Sequence, residues 1–69
     1  MNKMKYYNVT ITTKAGNVYS EKIRGETPLR AAVKHKHVSD NKKFRSIQGL
    51  YEHFKSYGCS LEVLEVKED

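Results

Sequence analysis

A chain of 69 residues, 30% of them charged and 38% hydrophobic, is enough for one small globular domain over residues 1–69 and leaves little room for a deep catalytic pocket. Thirteen Lys/Arg against eight Asp/Glu give a formal +5 at pH 7, spread unevenly: residues 1–45 hold 11 basic and 3 acidic side chains, residues 46–69 hold 2 and 5. No apolar run exceeds the three residues Ala31-Ala32-Val33 and there is a single cysteine, so no membrane span, secretory leader or internal disulfide is expected, and a cytoplasmic, reducing compartment is.

In chain order, residues 5–13 alternate, with Tyr7, Val9 and Ile11 on one side and Tyr6, Asn8, Thr10 and Thr12 on the other. This predicts a strand with one wet face. Lys14-Ala15-Gly16 reads as a three-residue hairpin loop with Gly16 left-handed. That loop sets Ile11 opposite Tyr19, Val9 opposite Glu21 and Tyr7 opposite Ile23, on a second strand over about 18–24. Glu21 falls on the apolar face, which calls for an edge position or a partner. Gly25 and Glu26 end the hairpin as turn residues.

Thr27-Pro28 is a helix start: the hydroxyl accepts from an orphan amide and proline suits the first turn. The predicted helix spans residues 28–37, with Leu29, Ala32 and Val33 inward and Arg30, Lys34 and His37 striping a neighbouring face. Lys36 lands on the apolar side, so it snorkels or the helix ends there. Ser39-Asp40-Asn41 breaks the chain, and Ser46 caps a second helix that stops at Gly58. Ile47, Leu50, Tyr51, Phe54 and Tyr57 form an apolar stripe about 120° wide on it. Residues 59–67 close as a strand pairing with the first. Leu61 and Val63 fall on one face and Leu64 and Val66 on the other, which suggests a bulge or a strand covered on both sides. The expected fold is α+β, in the order ββααβ: a three-stranded antiparallel sheet with two helices packed on one face.

The candidate chemistry is electrostatic. Arg30 and Lys34 sit on the first helix, Lys42, Lys43 and Arg45 follow it, and Arg24 shares the wet sheet face with Lys22 and Tyr6. Cations spaced over a surface neutralise phosphates, and an exposed ring beside them stacks on a base or anchors a protein partner. The residues assigned to binding are Tyr6, Arg24, Arg30, Lys34, Lys42, Lys43 and Arg45. Tyr7, Tyr19, Tyr51 and Tyr57 are assigned to the core.

Other constellations are weaker. His35 and His37 would project about 200° apart on a helix and cannot share an ion there, and no Cys-x-x-Cys or His-x-x-x-His spacing exists, so neither metal nor cofactor is expected. Cys59 opens an apolar strand and reads as a small buried hydrophobe, not as a nucleophile with His53 or His37. With no paired carboxylates and no Gly-rich phosphate loop, the chain is expected not to be an enzyme.

The leading expectation is a non-enzymatic basic protein engaging nucleic acid or a nucleic-acid-bound assembly. The alternative is a protein-binding inhibitor or adaptor, a phage-type regulator docking on an acidic surface of a host enzyme. A membrane is not an expected partner. The acidic end, Glu62, Glu65, Glu68 and Asp69, also allows a homodimer in which it meets the basic segment of a second copy.

Overall fold

The computed structural model describes residues 4–38 and 44–67. Strands β1 (Lys5–Thr12), β2 (Val18–Gly25) and β3 (Ser60–Val66) form one antiparallel sheet in the order β2-β1-β3, with helices α1 (Pro28–Ala32) and α2 (Ile47–Ser56) between the second and third strands. This is the α+β architecture the periodicities predict, with the closing strand paired to the first.

The hairpin register is set by its loop. Thr13 N–H donates to the Asn17 carbonyl at 2.8 Å, Gly16 takes φ 91°, and the Thr13 hydroxyl accepts from Asn17 N–H at 3.1 Å. Tyr7 then lies opposite Ile23, Val9 opposite Glu21 and Ile11 opposite Tyr19, as expected. Because side chains alternate with period two, one slip would turn every apolar residue to solvent. Glu21 is half-buried on β2, an edge strand.

The core lies on one face of the sheet. Tyr7, Val9, Ile11 and Ile23 come from the strands, Ala31 and Ala32 from α1, Leu50 from α2 and Val38 from the segment between the helices; Leu61 and Val63 of β3 pack against them. Gly25 is where α1 meets the sheet. Its φ is not positive, and a Cβ built there would lie 2.9 Å from the Ala31 nitrogen. The expectation of a turn glycine is therefore corrected: Gly25 ends β2, buried, and its missing side chain is what lets α1 approach.

The first helix is shorter than expected, five residues in place of the predicted span to His37. After Val33 the winding tightens: Lys34 and His35 N–H donate to the carbonyls of Ala31 and Ala32, three residues back, and Val38 N–H to that of His35. This turns His35 and Val38 into the core and leaves Lys36 exposed. The predicted stripe of Arg30, Lys34 and His37 on one helical face therefore does not form.

Helix α2 starts as predicted, with the Ser46 hydroxyl accepting from Gly49 N–H at 3.1 Å. It ends in a Schellman motif. Cys59 N–H donates to the Phe54 carbonyl at 2.9 Å, Gly58 N–H to that of Lys55 at 3.0 Å, and Gly58 has φ 77°. Tyr57 thereby leaves the apolar stripe. It is 66% exposed, which corrects its assignment to the core. The phase slip in β3 is neither a bulge nor two-sided burial. Its pairing with β1 runs unbroken from Tyr6↔Val66 to Thr12↔Ser60, β3 is an edge, and Leu64 stands 54% exposed on the uncovered face.

Candidate functional site

The uncovered face of the sheet follows from the same alternation that builds the core. With Tyr7, Val9 and Ile11 turned inward, β1 presents Tyr6, Asn8 and Thr10 outward. Their cross-strand neighbours on β2 are Arg24, Lys22 and Ser20, and those on β3 are Val66, Leu64 and Glu62. Cationic side chains therefore line the β2 side, and apolar and acidic ones line the β3 side.

Three groups converge at one end. Tyr6 is 37% exposed, and the Lys22 ammonium lies over its ring, 4.8 Å from the centroid. Arg24 is the direct cross-strand neighbour of Tyr6. The Lys34 ammonium donates to the Arg24 carbonyl at 3.0 Å, which carries the basic strip around the β2 edge to the turn after α1.

Of the residues assigned to binding, Tyr6, Arg24 and Lys34 are brought together. Arg30 is exposed on α1, where its N–H caps on the Thr27 hydroxyl at 3.1 Å, and Arg45 is exposed just ahead of the Ser46 cap of α2; these two stand on other elements. Lys42 and Lys43 lie outside the described residues. Lys22, expected on the wet face but not among the residues assigned to binding, has its ammonium over the ring of Tyr6, which is. The period-two spacing of Tyr6 against Lys22 and Arg24 was the signal.

A second cluster joins the turn after α1 to β2. His35 is 1% exposed, its Nδ1 accepts the His37 N–H at 3.1 Å, and its Nε2 reaches no hydrogen-bond partner. His37 stacks on Tyr19, ring centroids 3.9 Å apart and 22° from parallel. Burial pushes the His35 pKa below its ordinary value; Glu21 and the Tyr19 backbone pull upward against it, and His37 and Lys36 add to the lowering. The two histidines, weighed in sequence as metal ligands or as polar helix residues, instead join the core to the hairpin. Among the described residues no three His, Cys, Asp or Glu side chains converge as metal ligands would. Cys59 is half-buried with a free thiol, its Sγ 3.9 Å from the Tyr57 carbonyl.

Among the described residues no helix is long and apolar enough to cross a membrane. Comparison with protein-family models, curated proteins and solved structures gave no match to this chain.

Proposed function

We propose that this chain is a non-enzymatic, cytoplasmic nucleic-acid-binding protein that uses the cationic side of its open sheet face. The observation that carries the reading is the Tyr6 ring with the Lys22 ammonium over it and Arg24 as its cross-strand neighbour, on a face that neither helix covers. A ring offers a stacking surface, and cations beside it neutralise the phosphates that flank a stacked base. Lys34 extends the positive strip around the edge. Arg30, Arg45, Lys42 and Lys43 add sequence-independent attraction from neighbouring segments.

The test is a fluorescence-anisotropy titration with labelled single-stranded and duplex oligonucleotides from about 50 mM salt upward, where counterion release makes binding strongest at the low end. With about four phosphate contacts the expected slope of log K against log salt is near −3 for a single strand. Absence of binding to either oligonucleotide at the lowest salt refutes the proposal.

A second reading rests on the same face. Leu64 and Val18, 54% and 61% exposed, lie on it with the cations, a mixture that also suits docking on an acidic protein surface as an inhibitor or adaptor. A defined protein partner that is captured without nucleic acid and lost on Lys22→Glu with Arg24→Glu would favour that reading.

A further inference from the structure

We infer that the ligand of this face is a single strand, with one unpaired base stacked on Tyr6, and not a duplex. This rests on the nucleic-acid reading above and narrows it. Duplex sequence is read by a helix or a two-stranded ribbon inserted into a groove. Helix α1 has five residues and is too short to lie along one. The outward positions of α2 carry Gln48, Glu52 and Lys55, with the Gln48 amide bonded to Glu52 at 3.4 Å, so that helix presents no cationic face. The cations are instead on β2 of a three-stranded sheet, beside a ring, and because β1 is paired on both sides the cationic strand belongs to no separate two-stranded ribbon.

The layout of the face sets how the strand would lie. Lys22 and Arg24 are two residues apart on β2, about 7 Å along the strand, Arg24 opposite Tyr6 and Lys22 opposite Asn8. In the unbound chain the Lys22 ammonium occupies the ring face. A stacking base takes that place, and the ammonium shifts to the adjoining phosphate, so the cation–π contact is exchanged for a base–ring and an ion–phosphate contact. Next along the face are Asn8, Thr10 and Ser20, the two hydroxyls 3.0 Å apart, which supply donors and acceptors for an exposed base edge. Glu62, across from Thr10 on β3, repels phosphate and confines the strand to the β2 side.

The experiment compares a labelled 12-residue oligothymidine with a 12-base-pair duplex of mixed sequence at about 50 mM salt. Expected are binding to the single strand at least tenfold tighter than to the duplex, a loss of about tenfold on Tyr6→Ala and little loss on Tyr6→Phe, which keeps a stacking ring. The chain has no tryptophan, so Tyr6→Trp introduces a lone reporter whose emission oligothymidine should quench. Glu62→Lys should tighten single-strand binding several-fold, a gain that misfolding cannot mimic. Equal or tighter binding to the duplex, or a Tyr6→Ala variant that binds oligothymidine like the parent, overturns the single-strand assignment while leaving the nucleic-acid reading intact. No binding to either probe overturns both.

Discussion

The two faces of the sheet are made by the same three strands and do opposite things. The inner face carries Tyr7, Val9, Ile11 and Ile23, all buried, with α1, α2 and Val38 packed in the same core. The outer face carries Tyr6, Lys22, Arg24 and Leu64, all exposed. Burying one face is enough to hold so small a chain together, and the other is then free to vary in charge without cost to the core. Recognition and stability should therefore separate by residue parity along each strand. Two of the cations, Lys22 and Arg24, stand on the face that packing does not need.

The largest test of that division is at Leu50, fully buried where α2 meets the sheet. Leu50→Ala should lower unfolding free energy by about 2–5 kcal/mol in urea denaturation, since both transfer energy and a cavity are lost. In a chain expected to have only a few kcal/mol in hand, this would leave much of the population unfolded at room temperature. Gly25→Ala comes next. Its added methyl meets the α1 backbone at Ala31, which cannot rotate aside as a side chain would. The expected loss is about 1–3 kcal/mol by the same measurement, the usual penalty of overpacking. A variant as stable as the parent would show that α1 is free to slide on β2.

The strands were legible because their signal is local. Thr10 and Ile11 differ in polarity, the turn residues are explicit, and the loop length leaves one register that buries the apolar set. The second helix was legible for the same reason, and its end at Gly58 is written in one residue. The segment after Ala32 was not. His35, flanked by Lys34 and Lys36, looks like solvent-facing sequence, and its burial comes with a tightened turn beside Tyr19 and Glu21 of β2. Gly25 was misread because a glycine needed for space looks the same in sequence as one needed for a positive φ. The proposed binding face was half legible. Alternation put Tyr6 and Arg24 on one face, but the contact from Lys34 to the Arg24 carbonyl joins two elements and has no periodicity to announce it.

The buried histidine gives the third test. A neutral His35 accepts the His37 N–H at Nδ1; protonation would put a proton where that donor already points and charge a group with 1% exposure. Its folded pKa is lowered from 6.5, so the unfolded chain takes up the proton more readily than the folded one. The stability His35 contributes is then present above about pH 6.5 and is lost as the pH falls below that value. Glu21, Tyr19, His37 and Lys36 are the groups that set the balance. Thermal melts at pH 7.5 and 5.0 should show a falling Tm in the parent and a smaller fall in His35→Asn. That side chain can keep an acceptor for the residue-37 N–H and does not titrate. Equal falls in the two proteins would exclude His35 as the source.

The smallest expected change in stability is on the outer face, and it is also the one that decides whether the comparison holds. Lys22 and Arg24 are both exposed, and their apolar stems lie on a surface that no helix covers. Lys22→Gln with Arg24→Gln keeps most of each stem and removes both charges. Unfolding free energy should move by no more than about 0.5 kcal/mol, as for surface positions generally, with a slight gain where crowded cations repelled one another. The same double variant should make the salt slope for a single strand shallower by about 1.4, because each lost phosphate contact removes about 0.7. A stability loss well above 1 kcal/mol would mean that the cation over Tyr6 supports the hairpin, and the outer face would then belong to the fold as well. An unchanged slope beside unchanged stability would place the phosphate contacts on other cations of the chain, Arg30, Lys34, Lys42, Lys43 and Arg45. Measuring both quantities on one variant therefore distinguishes a face reserved for binding from one that merely faces water.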